Sequence, residues 1–511
     1  MKSIIDMLYA SEAKFAYKPF LKEVDKEISY HDFLMETKAI ASCLCHHVKG
    51  QKQPVVIMID KSIAALSSMM ATLMSSNFYT ILDVKMPLDR IELILETLQA
   101  KVLICDEKQF LNASKLAFDG EILVYEKIKM EAIDDQILNQ VEKRLIDTDP
   151  AYVLFTSGST GVPKGTVVSH RSVLAYAQWV CEAFHINNQT IFGNQTPFYF
   201  SMSVLDIFAT IKAGATLCII PKLYFSFPAK LLTFMNEAKV NTIYWVPSAL
   251  GIISNLNALD AILPNNVDKV LFAGEVMPTK VLNYWKTYLP NAMYANLYGP
   301  TEVTDICTYY IVNREFSNDE PLPIGNACNN CDVFVLNEKD ELVSDDEAGE
   351  LCVRGSFLAH GYYDQEAKTK EVFVLNPLQK HYPEYMYRSG DIVKYNEYGE
   401  LMYLSRKDFQ IKHMGYRIEL GEIETNVFSI EDVLSCACIY DQEKRHIVLF
   451  YQSKTLEDKD LLTLLKGKVP AYMLPNKMMK MKRMPYNANG KIDRKELKKR
   501  YMEEMKNGKI N

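Results

Sequence analysis

Short apolar runs alternate with amphipathic helical segments along most of the chain. The runs are PVVIMID from residue 54, KVLICD from 101, AYVLFTS from 151, NTIYWV from 241 and KVLFAGE from 269. Strands buried on both faces of a parallel sheet are nearly continuous in apolar residues, and helical crossovers connect them. The pattern therefore predicts an α/β fold with largely parallel, buried sheets.

Two changes in this pattern mark further parts of the chain. Between residues 322 and 406 the apolar runs shorten and turn residues crowd together, which predicts an antiparallel or barrel-like β subdomain. After residue 407, a helical segment, two short strands and lysine-rich segments predict a small α+β domain. We therefore expect a large domain over residues 1–406 and a small domain over residues 407–511.

The composition is typical of a folded protein that does not bind nucleic acid. Of the 511 residues, 48% are hydrophobic and 24% are charged, so the chain can bury more than one core. The formal net charge of −7 argues against general binding to nucleic acid. Basic residues do outnumber acidic ones between Lys466 and Lys509, and this stretch is either a solvated tail or a docking surface for an acidic partner.

Two further patterns bear on location. Residues 62–82 carry no charge and reach membrane-spanning length, but recurring serines predict a helix packed inside the protein and then a strand at YTIL. Near the N-terminus, Asp6 and Glu12 interrupt the apolar core that an export signal needs. We expect a cytoplasmic protein without membrane insertion, and we expect its eleven cysteines to be reduced and mostly buried.

A glycine-rich loop follows the strand at residue 151. Its sequence, LFTSGSTGVPKGTVVSH over 154–170, combines three glycines with several hydroxyl side chains and one lysine. Such a backbone curls tightly and points successive N–H groups inward, so the loop is a candidate cradle for a polyphosphate. It matches neither a Walker P-loop nor the G-x-G-x-x-G fingerprint. Taken alone, the loop is also typical of a flexible surface segment.

Several blocks of the sequence resemble motifs of the adenylate-forming ligases, the superfamily of acyl-CoA synthetases, luciferases and nonribosomal peptide adenylation domains. Besides LFTSGSTGVPKG, they are NLYGPTEVT (296–304), GELCVRG (349–355), YRSGDIVKYNEYGELMYLSRKDFQIKHMGYRIELGEIE (387–424) and NANGKIDRKEL (487–497). They occur in the family's order and cover most of the chain. The sequence most resembles D-alanine:D-alanyl carrier protein ligases and stand-alone amino-acid adenylation domains.

This resemblance implies both a fold and a reaction. The implied fold is a large N-terminal domain of two mixed α/β sheet subdomains and a barrel-like β subdomain, followed by a small mobile α+β domain. The implied reaction is attack of a carboxylate on Mg-ATP, which gives acyl-AMP, and then transfer of the acyl group to the phosphopantetheine thiol of a separate acyl or peptidyl carrier protein. The alternatives are coenzyme A as the acceptor, or a nucleotide-binding scaffold without catalysis.

The resemblance also implies an ATP site that draws on all of these blocks. Its members are Thr156, Ser157, Gly158, Ser159, Thr160, Gly161, Lys164, Gly274, Glu275, Asn296, Tyr298, Gly299, Thr301, Asp391, Arg406 and Lys491. Among them, the loop residues hold the β and γ phosphates, Thr301 the α-phosphate and Glu302 the magnesium ion. Tyr298 stacks on adenine, Asp391 accepts both ribose hydroxyls, and Arg406 contacts the ribose.

Two residues of the small domain have implied roles of their own. Lys491, in the turn NGKID, bridges the carboxylate and the α-phosphate during adenylation. It forms the implied catalytic set with Lys164, Thr301 and Glu302. Asp408 is the implied hinge about which the small domain rotates.

The implied acid pocket departs from the family pattern. Its lining is mostly apolar and consists of Ser201, Met202, Leu205, Tyr244, Leu271, Ala273, Leu297, Asp305 and Ile306. Members that activate α-amino acids carry an aspartate where Ser201 stands, and a serine cannot neutralise a buried ammonium group. Asp305 either pairs with an amine further from the carboxylate, as in a β-amino acid, or it faces outward or is bonded within the protein. In the second case the pocket suits a hydroxy, keto, aryl or short aliphatic acid.

Overall fold

A computed structural model describes residues 1–158, 162–344, 347–407, 410–486 and 492–506, the side chain of Lys506 excepted. The strands of these residues are β1 (Pro19–Lys22), β2 (Glu27–Ser29), β3 (Pro54–Met58), β4 (Phe78–Ile81), β5 (Val102–Cys105), β6 (Glu121–Val124), β7 (Pro150–Thr156), β8 (Lys164–Ser169), β9 (Ile191–Asn194), β10 (Thr216–Ile219), β11 (Thr242–Trp245), β12 (Lys269–Phe272), β13 (Met293–Tyr298), β14 (Thr308–Ile311), β15 (Asn326–Ala327), β16 (Cys331–Leu336), β17 (Gly349–Gly355), β18 (Gly361–Tyr362), β19 (Phe373–Leu375), β20 (Tyr385–Tyr395), β21 (Leu401–Arg406), β22 (Gln410–His413), β23 (Tyr416–Glu419), β24 (Val433–Asp441), β25 (His446–Ser453) and β26 (Lys477–Lys480).

The α-helices of the described residues are α1 (Ile4–Phe15), α2 (Tyr30–His47), α3 (Ile63–Met74), α4 (Leu88–Leu98), α5 (Phe110–Ala113), α6 (Tyr125–Ile128), α7 (Asp135–Glu142), α8 (His170–Ala183), α9 (Ser203–Ala213), α10 (Pro228–Glu237), α11 (Pro247–Asn255), α12 (Thr279–Tyr288), α13 (Glu366–Val372), α14 (Leu420–Phe428), α15 (Asp458–Lys466) and α16 (Arg494–Lys506). Short 3₁₀ turns lie at Lys222–Ser226, Ala258–Asp260, Thr301–Val303 and Ala471–Met473.

The chain forms two compact units. The first unit comprises the described residues of 1–84, 95–155 and 165–407, and the second comprises those of 85–94, 156–164 and 408–511. The second unit thus includes two short segments that precede residue 407 in the sequence. The domain boundary near Lys407 stays a prediction.

Two large sheets lie in the first unit. The nine-stranded sheet has the order β15-β14-β13-β12-β11-β9-β10-β1-β2, and the seven-stranded sheet has the order β18-β8-β7-β4-β3-β5-β6. The inner strands pair in parallel, as β11 does with β12 and β3 with β4. All residues of β3 are buried, because a parallel strand covered by helices on both faces has no polar side. The predicted α/β fold is confirmed.

An antiparallel sheet occupies the part of the first unit where short runs and turns predict one. Its strand order is β16-β17-β20-β19, with β21 paired to β20. Each of these pairs is antiparallel. The register sets Asp391 of β20 directly opposite Arg406 of β21, so two predicted ribose contacts become neighbours through strand pairing alone.

The second unit has small sheets and cores of its own. β22 and β23 form a hairpin, and β24, β25 and β26 form a three-stranded sheet. Side chains alternate across a strand, so one face of this sheet packs against α14 and α15 around Ile423 and Leu461. The other face packs against α16 around Leu497 and Tyr501. This is the α+β arrangement expected for the C-terminal part of the chain.

The uncharged stretch at residues 62–82 forms a packed helix and a strand, as predicted. The side chain of Ser62 caps α3 by accepting the N–H of Ala65, and β4 follows with four buried residues. Among the described helices, none is long and apolar enough to cross a bilayer.

The cysteines are free thiols throughout the chain. Cys328 and Cys331 have the C-x-x-C spacing that redox and metal sites also use. Both are buried, however, and burial raises the pKa of Cys328 well above its ordinary value and that of Cys331 to about 12. The pair is therefore protonated and unreactive at neutral pH, in line with the expected reduced, buried thiols.

A buried histidine joins α1 to the start of α8 in the first unit. His170 is 0% exposed, and its Nδ1 atom accepts the backbone N–H of Ile4 at 3.2 Å. The proton of the neutral ring therefore lies on Nε2, which has no hydrogen-bond partner among the described residues. Burial lowers the pKa of His170 to about 4, although nearby carboxylates, Asp149 above all, act in the opposite direction.

We predict that His170 makes the stability of the first unit fall with decreasing pH. Because the pKa of the folded ring lies below its unfolded value of 6.5, its contribution is complete above about pH 6.5 and is lost as the pH falls towards about 4. The full loss is on the order of 3 kcal/mol. Urea unfolding at about pH 7 and about pH 4.5 measures it.

The variant His170→Asn keeps an acceptor for the N–H of Ile4 but cannot be protonated. It is expected to lose less stability between the two pH values than the unmodified protein does. His381→Asn changes an exposed histidine and serves as the control with the original pH dependence. An identical pH dependence in all three proteins would contradict the prediction.

Candidate functional site

The glycine-rich loop after β7 is described at both of its ends. Its central residues lie outside the described residues: Ser159, Thr160 and Gly161. A Cβ atom on Gly158 would lie 2.0 Å from the carbonyl oxygen of Val162, so only glycine fits there. The Oγ1 atom of Thr156 is buried and has no hydrogen-bond partner among the described residues. The two described ends of the loop thus approach each other closely, and one of them carries a buried hydroxyl that has no partner among the described residues.

Within the second unit, this loop binds acidic side chains. The N–H of Gly158 donates to Oε2 of Glu422 at 3.0 Å. The Nζ atom of Lys164 lies 3.4 Å from Oε1 of Glu419, and the hydroxyl of Ser157 accepts the backbone N–H of Glu419 at 3.0 Å. A backbone N–H and a lysine that bind carboxylate oxygens are equally suited to phosphate oxygens.

Glu302 lies in the short turn Thr301–Val303 of the first unit and is fully buried. The hydroxyl of Tyr362 donates to its Oε1 atom at 2.6 Å. The hydroxyl of Thr301 donates to the hydroxyl of Ser201 at 3.2 Å. The turn therefore brings the residues predicted for the α-phosphate and the magnesium ion next to a residue of the predicted acid pocket.

The predicted adenine and ribose contacts meet around one carboxylate of the first unit. Asp391 is 2% exposed, and its Oδ1 atom accepts Nη1 of Arg406 at 2.9 Å. The hydroxyl of Tyr298 donates to the other oxygen, Oδ2. Burial, and next the charge of Asp391, raise the pKa of Tyr298 well above its ordinary value. The phenol therefore stays protonated and holds the carboxylate in place.

The remaining predicted ATP contacts of the first unit follow neighbouring parallel strands. Gly274 and Glu275 follow β12 after one intervening residue, and Asn296 lies in β13, its partner. Oε2 of Glu275 accepts the N–H of Ser248 at 2.8 Å, and Nδ2 of Asn296 donates to the carbonyl of Pro323 at 2.7 Å. Carboxyl ends of parallel strands lie along one edge of a sheet, which is where α/β proteins bind ligands.

The predicted acid pocket is assembled from the same sheet. Tyr244, Leu271 and Leu297 lie in the adjacent parallel strands β11, β12 and β13, while Met202 and Leu205 lie at the start of α9. Eight of the nine predicted residues are buried: Met202, Leu205, Tyr244, Leu271, Ala273, Leu297, Asp305 and Ile306. Ser201 is partly exposed.

Asp305 faces inward and is bonded by two tyrosines. Its Oδ2 atom accepts the hydroxyl of Tyr176 at 2.8 Å and that of Tyr244 at 3.1 Å. Asp305 is 2% exposed, and both phenols are completely buried. Burial, followed by the charge of Asp305, raises the pKa of each phenol well above its ordinary value. Two protonated donors therefore compensate the loss of water around this carboxylate.

An unusual backbone turn directs Asp305. Thr304 has φ of 73° and ψ of −58°, and the N–H of Asp305 donates to the carbonyl of Val303 at 2.9 Å. These are the features of a strained γ-turn, and positive φ in a β-branched residue costs on the order of 1–3 kcal/mol. The same segment passes close to Gly299, where a Cβ atom would lie 2.3 Å from the carbonyl oxygen of Asp305.

A polar cluster anchors the segment that leads to Ser201. Nζ of Lys61 donates to the carbonyls of Asn194 and Gln195 at 3.2 and 3.0 Å, and Nδ2 of Asn194 donates to Asp206 at 2.7 Å. Burial lowers the pKa of Lys61 to about 7 and raises that of Asp206 to about 7. The cluster connects the end of β9 with α9 and so limits the freedom of the residues between them.

Several residues of these sites escape sequence reasoning. Tyr176 and Tyr362 are single tyrosines in a helix and a short strand, with no pattern that distinguishes them from core residues. Lys61 occupies an ordinary turn position after β3. Only Glu419 and Glu422 lie within a quoted block, YRIELGEIE, but nothing in the spacing indicates that they contact the loop at residue 157.

Comparison with known proteins defines the class to which this fold and these sites belong. The model of the family described as AMP-binding enzyme matches residues 8–363. The chain is 30% identical to D-alanine–D-alanyl carrier protein ligase of Bacillus licheniformis, over 94% of this chain and 95% of that protein. This chain belongs to the AMP-binding enzyme family, as its motifs predict.

Other relatives are much longer than this chain. It is 32% identical to tyrocidine synthase 3 of Brevibacillus parabrevis over 92% of this chain. It spans only 7% of that protein, and 43% of tyrocidine synthase 1 from the same organism.

A solved structure agrees with the fold. The adenylation domain AlmE of Vibrio cholerae, crystallised with glycyl-adenosine-5'-phosphate, superposes with a TM-score of 0.84 over 98% of both chains, at 23% sequence identity. The predicted adenylate-forming ligase fold is confirmed.

We predict that Asp305 and Tyr244 are energetically coupled. Tyr244→Phe removes one donor and is expected to cost about 1 kcal/mol of stability, while Asp305→Leu leaves two buried phenols unpaired and is expected to cost about 2–5 kcal/mol. The double variant should lose less stability than the sum of the two single losses. When Tyr244 is already phenylalanine, Asp305→Leu leaves only one buried phenol unpaired instead of two.

Denaturant unfolding of the four proteins gives this coupling as a double-mutant cycle. The pair Tyr288 and Asp260, in which the tyrosine hydroxyl also donates to a carboxylate through an exposed hydrogen bond, supplies the matched control. Its cycle is expected to give a coupling near zero, because solvent replaces the lost partner. Additive losses at Asp305 and Tyr244 would show that their contact contributes nothing.

Proposed function

We propose that this protein is an AMP-forming ligase that activates a small carboxylic or amino acid. In the first step, a carboxylate oxygen of the acid attacks the α-phosphorus of ATP, the bond from that phosphorus to the bridging oxygen breaks, and pyrophosphate leaves. In the second step, a thiolate attacks the acyl carbonyl carbon and AMP leaves. Both steps move negative charge onto oxygens, so positioned donors and cations carry the catalysis.

The observation that carries this proposal is the binding of carboxylates by the glycine-rich loop. Gly158 and Lys164 each bind a carboxylate oxygen, and the buried hydroxyl of Thr156 has no partner among the described residues. Membership of the AMP-binding enzyme family supports ATP as the anion. We assign the β and γ phosphates to the loop, with Ser157, and with Ser159, Thr160 and Gly161, which lie outside the described residues.

The other nucleotide contacts are proposed in the first unit. Asp391 receives the ribose hydroxyls, beside Arg406, and Tyr298 lies against adenine. Thr301 binds the α-phosphate. The support is that Tyr298 and Arg406 each hold one oxygen of Asp391, so the carboxylate is oriented before the ribose arrives.

Glu302 is the proposed ligand of Mg²⁺. A buried carboxylate, oriented by the hydroxyl of Tyr362, fits a small cation that prefers oxygen ligands and shares them with substrate phosphates. When bound, Mg²⁺ neutralises charge on the phosphate oxygens.

The C-terminal part of the chain has a proposed role in each step. Lys491 bridges the acid and the α-phosphate during adenylation, and Asp408 is the hinge, but both lie outside the described residues. We propose that residues 1–406 bind ATP and the acid, and that residues 407–511 form the small mobile domain that carries Lys491.

We propose that the acid carries an amine beyond its α-carbon, as a β-amino acid does. Ser201 offers no charge for an α-ammonium group, whereas Asp305 is a buried carboxylate on the same sheet edge. The two tyrosines bind Oδ2 of Asp305, which keeps the carboxylate stable until a cation arrives. An ammonium group in a buried site needs such a partner.

The proposed acceptor is the phosphopantetheine thiol of a separate acyl or peptidyl carrier protein. The support is that a relative that this chain covers almost from end to end is named as a ligase of a carrier protein. Reduced cysteines and the use of ATP fit a cytoplasmic location, which we propose with it.

Acid-dependent exchange of pyrophosphate into ATP tests the first step. Lys491→Ala is expected to reduce exchange at least 100-fold while leaving ATP affinity nearly unchanged, because it acts on the transferring group. Asp391→Asn is expected to weaken ATP binding about tenfold or more, since it loses a charged acceptor.

Lys339→Ala replaces an exposed lysine of the first unit and is the control with unaltered exchange. The absence of exchange with a broad panel of amino, hydroxy and aryl acids would contradict the proposed function. Thioester formation with a carrier protein and with coenzyme A then distinguishes the two acceptors.

The role of Asp305 in acid selection is tested with matched acids. A β-amino acid is expected to support faster exchange than its α-amino isomer and its analogue without an amine. Asp305→Asn is expected to lower kcat/KM for the β-amino acid about 100-fold or more, because a buried ammonium group loses its counter-charge. The same variant should affect the amine-free analogue little. Equal losses for both acids would rule out the amine contact.

A further inference from the structure

Two glutamates of the second unit occupy the donors of the glycine-rich loop. We infer that Glu419 and Glu422 are an internal ligand of this loop, which competes with the polyphosphate of ATP for the same donors. The inference rests on the proposed role of the loop in binding phosphate. It adds a device by which the chain itself fills the loop when no nucleotide is present.

Glu422 is the better buried of the two carboxylates. It lies in the first turn of α14 and is 0% exposed. Its Oε2 atom accepts the N–H of Gly158 at 3.0 Å, and its Oε1 atom pairs with Nη1 of Arg90. Each oxygen therefore has its own donor, as a buried carboxylate requires.

Glu419 engages the other end of the loop. Its Oε1 atom accepts Nε2 of Gln410 at 2.5 Å and lies 3.4 Å from Nζ of Lys164. Its backbone N–H donates to the hydroxyl of Ser157 at 3.0 Å. That hydroxyl in turn donates to the carbonyl of Arg417 at 2.8 Å, so its only proton is already used.

These contacts exclude a polyphosphate at the same donors. The N–H of Gly158 and the hydroxyl proton of Ser157 each serve one strong acceptor, and here the acceptors belong to the segment at 417–422. A triphosphate brought to the loop would also face the charge of two nearby carboxylates, and like charges at short range in a buried site repel strongly. Binding of ATP therefore requires release of Glu419 and Glu422.

The competition is reciprocal. If the polyphosphate weakens the contact of the loop with residues 417–422, that contact weakens polyphosphate binding by the same factor. The glutamates thus favour departure of pyrophosphate, because they supply the donors with new acceptors. Without Glu422, the N–H of Gly158 would lose the carboxylate oxygen that it binds here.

Titration calorimetry with inorganic pyrophosphate and with Mg-ATP tests the inference on the full chain. Glu419→Gln and Glu422→Gln remove the charge of the internal ligand and are each expected to tighten pyrophosphate binding about tenfold, a typical size of coupling between competing ligands. Glu431→Gln changes an exposed glutamate of the same unit and is expected to bind as the unmodified protein does. Unchanged or weaker binding in both variants would overturn the inference.

Hydrogen exchange of the unmodified protein gives a second test that needs no variant. At saturating pyrophosphate, the peptide over residues 416–424 is expected to exchange faster, because the N–H of Glu419 loses its acceptor. The peptide that contains Gly158 should keep its protection, since a phosphate oxygen replaces Glu422. This measurement decides the matter if Glu422→Gln unfolds the unit by leaving Arg90 unpaired.

The two tests separate this inference from the proposed function. Binding of neither ATP nor pyrophosphate by the unmodified protein would overturn both. Saturable binding without any change in exchange at residues 416–424 would overturn the inference alone.

Discussion

A carboxylate that is buried away from water needs hydrogen-bond donors within the protein. This requirement determines the polar contacts of the candidate sites in both units. Tyr362 donates a hydrogen bond to Glu302, and two tyrosines donate to Asp305. Tyr298 and Arg406 both donate to Asp391. Each donor lies on a different element from its carboxylate, so it holds two elements together while it stabilises the charge. Loss of one donor weakens the compensation of a buried charge, which costs more than loss of a surface pair.

In the segment from Gly299 to Asp305, the backbone places two of these carboxylates where their donors can reach them. A short turn presents Glu302 and a strained turn at Thr304 presents Asp305, three residues later. Regular helix or strand geometry does not allow the close return of this chain to Gly299. The strain is compensated by packing and by the hydroxyl of Thr304, which donates to the carbonyl of Phe357 at 2.8 Å. Glu302, proposed for the metal, and Asp305, proposed for the acid, are therefore positioned by the same short segment.

In the second unit the carboxylates are partners of a loop whose composition suits phosphate. The chemistry is the same in both cases, because a negatively charged oxygen accepts from a backbone N–H or an ammonium group. A loop of this kind is seldom left without an acceptor when it is buried. The acidic residues at the start of α14 are therefore acceptors of this loop.

The sequence by itself determined the fold class, the family and most of the candidate nucleotide contacts. Apolar runs predict strands directly. Motifs in the family's order, such as NLYGPTEVT, identify Tyr298, Thr301 and Glu302 as candidate nucleotide contacts. Such features are local, since each depends on a few adjacent residues. The sequence does not determine the direction of the Asp305 side chain, because a single aspartate after a turn is compatible with either orientation.

Only the tertiary structure decided which donors meet each carboxylate. Tyr176 and Tyr244 are 129 and 61 residues away from Asp305, and Glu422 is 264 residues away from Gly158. Such pairings follow from sheet order, register and the packing of helices on sheets, and no periodicity along the chain encodes them. The motifs therefore indicate a loop suited to a polyphosphate, while the long-range contacts decide which carboxylates lie at its donors and which donors hold Asp305.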